Sequence, residues 1–359
     1  MDNYVELAKE IRKKLHTIAE PSLHEVKTKS FLIDYIKENT DLEIIDKGKW
    51  FYVKHTIDSN NDYIAFRCDF DAVTGEDGIS RHLCGHDGHA SSLAAFAKWI
   101  SDNKPKKNII LLFQHAEEIG AGGKDCKEIL NLENISEIFG FHNIPGYELG
   151  NVLILDGTFA CGSVGYEIIF TGKPAHAAYP ETGINPTKAI SQLVIYVDDY
   201  INQEHDGVVL STVVGIESGS NHFGVSASEG TLRLTLRAEK SNEFEKLIGF
   251  VKDKAQTLAK DYSLELAFAE FDYFPATENN NESNSKLRKV TDVLNYSVVL
   301  PDEPFRWSED FGWYLQNVKG AYFGIGVGSN HPQIHTEKYE FNDDAFSYIL
   351  NVLKELINY

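Results

Sequence analysis

Ten residues of the sequence, HLCGHDGHAS at positions 82–91, crowd three histidines, a cysteine and an aspartate together. Cys84 and His86 stand two apart, close enough to reach one ion from a loop or a helix entrance. Thiolate and imidazole suit zinc and other transition metals. By itself the hexapeptide CGHDGH is equally a hydrogen-bonded turn with an inert thiol, so the remaining clusters must decide. QHAEEIGAGG sets Glu117 beside Glu118 ahead of a glycine-rich turn. Adjacent side chains diverge there, so one carboxylate can hold metal while the other addresses a water, although a solvated acidic pair capping a helix is the plainer reading. GFHNIPG carries His142, and HPQIHTEKYEF carries His331 and His335. Jointly these stretches offer Cys84, His86, Glu118, His142 and His335. If one of the five bridges two ions, each ion gains three protein contacts and keeps an open position of the kind catalytic sites use. Two metals about 3.5 to 4 Å apart generate hydroxide near neutral pH and polarise a carbonyl, which is hydrolase chemistry.

The elements that must position these groups are legible as patterns. Residues 1–160 alternate helical stretches with apolar runs: a helix over about Tyr4 to Ile18, a second opened by Pro21, then YIAFRCDF, NIILLFQHA and EIFGFHN. That order predicts an α/β unit with a mostly parallel sheet. In such sheets ligands gather beyond the carboxyl ends of the strands, and the polar clusters RCDFD, QHAEE and FHN stand at those ends. From Val164 to about Phe271 the texture becomes strand, helix, strand, strand, helix, strand, the split βαβ order of ferredoxin-like units. It predicts an inserted domain over 164–274, with 1–163 and 275–359 forming the first domain. Within the polar segment TENNNESNSK, ENNNESN is short enough to be a surface loop.

Composition removes other classes. Lys plus Arg number 34 against 54 for Asp plus Glu, a net charge of −20 in 359 residues, so nucleic acid and anionic membrane are opposed electrostatically. The longest strongly apolar run, IILLF, is far too short to span a bilayer, and the amino-terminal stretch has no signal-peptide pattern. A cytoplasmic protein is expected. Four cysteines, Cys68, Cys84, Cys126 and Cys161, are too sparse for a disulfide framework.

Read in order, LHTIAEPSLHEVKT, RCDFDAV, HLCGHDGHAS, FQHAEEIGAGG, FHNIPG, GKPAHAAYPETGINP, SEDFGWYL and IHTEKYEFNDDAF resemble the metallo-amidohydrolases. These include aminoacylases, hippurate hydrolases, auxin-conjugate hydrolases and N-acetyl-diaminopimelate deacetylases, and are related to carboxypeptidase G. The resemblance runs over nearly the whole chain. It implies a zinc-exopeptidase-like catalytic domain with a lid or dimerisation domain inserted, and two divalent metal ions held by Cys84, His86, Glu118, His142 and His335. It further implies Glu117 as general base, Asp71 as the carboxylate that orients a site residue, and His176 as a residue lent to the active site of a homodimer partner. Asp69 and Asp71 could instead cap a turn, and His176 could be an exposed lid residue. The chain departs from the pattern in a shortened loop between Asp71 and Cys84, in His115 where proline is common, and in a lid segment without the usual asparagine-to-proline run. Those changes bear on the substrate more than on the reaction.

The expected activity is hydrolysis of the amide of an N-acyl amino acid. Zinc is favoured by the thiolate, with manganese, cobalt or nickel as alternatives. Arg233 could pair with the amino acid's carboxylate or be an ordinary strand-surface arginine, and Asn221 is a weaker candidate. A dipeptidase or carboxypeptidase with the same dinuclear site is the rival within enzymes. A metal-dependent binding protein without turnover is the rival outside them.

Overall fold

The computed structural model describes residues 1–75 and 77–359. Helices α1 (Asp2–His16) and α2 (Val26–Asn39) lead into strands β1 (Glu43–Asp46), β2 (Phe51–His55) and β3 (Tyr63–Asp69). Helix α3 (His86–Asn103) and strands β4 (Asn108–Gln114), β5 (Ile135–Ile144) and β6 (Val152–Leu153) follow. Next come β7 (Gly162–Thr171), α4 (Thr187–Ile201), β8 (Val209–Ser218), β9 (Glu229–Ala238), α5 (Ser241–Asp261) and β10 (Glu265–Phe274). Helix α6 (Asn281–Leu294), strands β11 (Val298–Val299) and β12 (Lys319–Gly326), and helix α7 (Ala345–Leu356) complete the course.

The chain divides into two compact units, one of residues 1–159, 277–304 and 310–359, the other of 160–276 and 305–309. The first is built on an eight-stranded sheet in the order β1-β2-β4-β3-β5-β12-β6-β11. Its central strands β4, β3, β5 and β12 run parallel, and β4 and β12 are buried along almost their whole length. Such double-sided burial is why their sequences read as continuous apolar runs rather than alternating ones. Helix α1 buries Ala8, Ile11 and Leu15, spaced for one helical face, with Asp2 in its first turn and Lys13, Lys14 and His16 in its last, as the helix dipole favours.

The second unit pairs its strands in the order β8-β9-β7-β10, every neighbour antiparallel. Leu232, Leu234 and Leu236 of β9 alternate inward against Leu193 and Val197 of α4 and Leu247 and Val251 of α5. This is the ferredoxin-like arrangement the element order predicts.

Two local expectations are corrected. Pro21 does not open a helix: Leu23 has φ +68°, Pro21 bridges Ala72, and α2 begins only at Val26. ENNNESN is not a loop either. Thr277–Asn279 is a short strand, and the Asn280 side chain accepts from the N–H groups of Glu282 and Ser283, capping α6.

Candidate metal centre

Four chain segments bring the site together at the carboxyl end of the parallel strands. The first is the turn into α3, where Gly85 takes φ +94° and His86 already begins the helix. A side chain at position 85 would also strike Asn143 Oδ1 at 2.6 Å, so both the backbone angle and the space require glycine. The second is the turn after β4. Ala116 is held at φ +49°, with its N–H donated to the buried Glu25 carboxylate at 2.8 Å, and Gly122 lies so close to the His115 carbonyl that no Cβ fits. That tight return presents Glu117 and Glu118. The third is the end of β5, bearing His142. The fourth is the loop after β12, where His335 at φ +60° donates its backbone N–H to Leu83 O at 2.7 Å.

The side chains form overlapping triads whose ligand atoms lie within 4.8 Å of one another: Cys84 with His86 and His142, Cys84 with Glu118 and His335, and His86 with Glu117 and Glu118. Cys84 Sγ is 3.4 Å from His142 Nε2, and His335 Nε2 is 3.3 Å from Glu118 Oε2. The five residues expected as ligands thus converge, together with Glu117. His331 does not join them; its Nε2 meets the Glu340 carbonyl. Asp71, fully buried, sets Oδ1 3.0 Å from His86 Nδ1, while its Oδ2 accepts from Ser22 Oγ and the Glu118 N–H. It turns His86 Nε2 toward the other ligand atoms. His142 Nδ1 donates to the Asn143 carbonyl, which turns its Nε2 toward Cys84.

Asp69 is no turn cap. It is fully buried, accepts from Arg67 Nη1 at 2.7 Å and approaches His89 Nδ1 at 2.6 Å. Arg67 also donates to Asp310 and Gln114, so a buried ionic layer underlies the site. Sequence reading passed over Arg67, His89, Asn143 and Glu25. For Arg67, His89 and Asn143 the available signal was their position beside the site residues in RCDFD, HDGH and FHN; Glu25, in PSLHEV, had no such neighbour.

The electrostatics call for a cation. Burial, then Glu118 and Glu117, hold the Cys84 thiol well above its ordinary range. Burial disfavours a charged His86, yet Asp69, Asp71 and Glu118 outweigh it and push its pKa up to about 10. His142 is depressed well below the usual imidazole range, by burial and then by His89 and His86. Among the described residues His86 Nε2 and Glu118 Oε1 are buried without a hydrogen-bond partner, a costly state for polar atoms unless another group satisfies them. A thiol, three imidazoles and a carboxylate, two of them with orphaned atoms, fit a divalent metal pair.

The remaining expected residues lie on the second unit. His176 is exposed, and its Nδ1 accepts the Ala178 N–H at 3.1 Å, which puts the ring's donor hydrogen on Nε2. Arg233 is paired with Glu167 at 2.8 Å and Glu217 at 2.6 Å, so its fork is already engaged. Asn221 is exposed. All four cysteines are free and buried. Among the described residues no helix is long and apolar enough to cross a membrane.

The chain is 27% identical to an N-acetyldiaminopimelate deacetylase of Leuconostoc mesenteroides, over 98% of this chain and 96% of the relative. It is also 27% identical to the IAA-amino acid hydrolase ILR1-like 2 of Arabidopsis thaliana, over 94% and 81%. A Bacillus subtilis structure described as a dinuclear metal binding peptidase from the M20 family superposes with a TM-score of 0.83 at 21% identity, covering 99% of this chain and 98% of that one. The family model matches residues 65–359, and the chain belongs to peptidase family M20/M25/M40.

Proposed function

We propose that the protein hydrolyses the amide joining an acyl group to an amino acid. The observation that carries this reading is the extra carboxylate. Glu117 sits with His86 and Glu118 inside the ligand cluster, where a site built only to hold metal has no need of it. The names of the two relatives, a deacetylase of N-acetyldiaminopimelate and a hydrolase of IAA-amino acid, support the acyl–amino acid class.

Two divalent ions, zinc favoured by the thiolate and manganese, cobalt or nickel also suited to these donors, supply Lewis acidity toward a carbonyl and toward water. Cys84, His86, Glu118, His142 and His335 hold them, and Asp71 fixes the His86 ring. Glu117 takes the proton of the attacking water and delivers it to the departing amine as the C–N bond breaks, leaving a carboxylic acid and a free amino acid. The protein works as a homodimer in which the partner subunit's His176 donates from Nε2 to the developing oxyanion. Arg233 receives the substrate carboxylate by exchanging it for Glu217, and Asn221 is a secondary contact. A cytoplasmic location, where thiols stay reduced, suits four free cysteines.

The test separates the adjacent glutamates. Glu117→Gln should retain metal and lose roughly 10² to 10⁴ in turnover, whereas Glu118→Gln should lose metal. Normal turnover in Glu117→Gln defeats the assignment. A screen of N-acyl amino acids against unblocked dipeptides settles the substrate class, and faster cleavage of the dipeptides would turn the reading to a dipeptidase.

A further inference from the structure

The second histidine of HDGH, His89, and the asparagine that follows His142 have no place in the chemistry above, yet both are fully buried against the ligands. His89 Nδ1 lies 2.6 Å from Asp69 Oδ1, and its Nε2 lies 2.5 Å from Asn143 Oδ1. Asn143 Nδ2 is 3.0 Å from the Cys84 carbonyl and 2.5 Å from Tyr339 Oη. The Cys84 carbonyl can only accept, so the amide must turn its NH₂ to it and its oxygen to His89. In that orientation one NH₂ hydrogen serves Cys84 O, the other serves Tyr339, and Oδ1 accepts from His89. Arg67 clamps Asp69 from behind at 2.7 Å. The chain of contacts therefore runs without a gap from the buried ionic layer to the peptide between Cys84 and Gly85. Its fit is tight, since a Cβ at Gly85 would lie 2.6 Å from Asn143 Oδ1 and 2.9 Å from Tyr339 Oη.

We propose that His89 and Asn143 are positioning residues, which hold the Cys84–Gly85–His86 turn so that thiol and imidazole face the same metal. The inference rests on the metal-centre reading above. An unheld turn would let the thiol swing on a left-handed glycine hinge, and the ligand set would have to be reassembled on binding. Loss of such an outer support typically costs about 10- to 100-fold in metal affinity.

The experiment uses the full chain stripped by chelator and titrated with cobalt(II), reading both the dissociation constant and the thiolate-to-cobalt charge-transfer band. Asn143→Ala and His89→Gln should each weaken cobalt binding about 10- to 100-fold and diminish or shift the band. Asn143→Asp is isosteric and presents an oxygen to the Cys84 carbonyl, so it should bind no better than Asn143→Ala, and it serves if that variant does not fold. Asn279→Ala is the control. It removes another buried amide, bonded to Leu155 O and Tyr322 O, and should lower stability while leaving cobalt affinity and band unchanged. Wild-type affinity and band in the folded His89 and Asn143 variants would overturn this inference alone. A wild-type chain with no thiolate band at all would overturn the metal-centre reading on which it depends.

Discussion

Metal uptake by the stripped protein should release two protons per site near neutral pH. In the metal-free chain the Cys84 thiol is held well above its ordinary range, and the His86 pKa stands at about 10. Both groups are therefore protonated at pH 7. His142, depressed by burial and by His89, is already neutral and contributes nothing. Coordination needs the thiolate and the bare Nε2 of His86, whose Nδ1–H stays donated to Asp71. Two displaced protons make log K rise by about two for each pH unit, a change of about 2.7 kcal/mol per unit. Affinity should thus increase roughly 100-fold from pH 6.5 to 7.5. The sign is fixed: acid favours the metal-free form. Titration calorimetry with zinc across this range, repeated in buffers of different ionisation heat, counts the protons directly. In Cys84→Ser the hydroxyl carries no readily lost proton, so the slope should fall to about one while overall affinity drops. A pH-independent affinity, or a slope of two that survives Cys84→Ser, would refute the reasoning.

Glu25 has its pKa raised to about 7 by burial and then by the Asp71 charge. Stability should therefore decline as pH rises from about 4.5 to 7, by at most about 3 kcal/mol, and Glu25→Gln, which keeps an acceptor for Ala116, should flatten that decline in denaturant titrations. Arg67→Met removes the guanidinium that pairs with the buried carboxylates of both Asp69 and Asp310, so it should cost about 3 to 5 kcal/mol and lower Tm by roughly 6 to 20 °C; a loss below about 1 kcal/mol would show the layer is not ionic. His176→Ala should lose about 10² to 10³ in turnover with metal content intact. Mixing it with Glu117→Gln chains should restore part of the activity, and verified subunit exchange without recovery would rule out donation between subunits.

Sequence patterns exposed the site more readily than its supports. Cys84, His86, Glu118 and His142 are recognisable because their side-chain chemistry is rare and because each lies at the end of an apolar run or at a helix entrance, whereas His335 lies in a loop and stands out by its side chain alone. The parallel sheet and the ferredoxin-like unit were legible for a related reason, since buried strands and amphipathic helices write their burial into periodicity. Misreadings arose where one residue type serves two local purposes. Pro21 satisfies the rule for a helix start but sits in a bridge to Ala72, and the asparagine-rich stretch reads as a loop although Asn280 caps a helix.

The supports were hidden because their meaning is relational. Arg67 and Asp310 stand 243 residues apart in sequence yet 2.7 Å apart in space, and no property of either residue announces the other. The same holds for Arg233, which as a residue is a fine carboxylate receptor. Only the strand register, which sets it opposite Glu167 and beside Glu217, shows that it already has two partners. An arginine between two carboxylates carries net negative charge around it, so a substrate carboxylate gains there only by displacing one of them. Glu217→Gln consequently discriminates between the two roles. If Arg233 receives substrate, freeing its fork should lower KM for N-acyl amino acids while leaving kcat and metal content unchanged. An unchanged KM, with nothing lost but a little stability, would make Arg233 part of a cross-strand ion pair that holds β7, β8 and β9 in register.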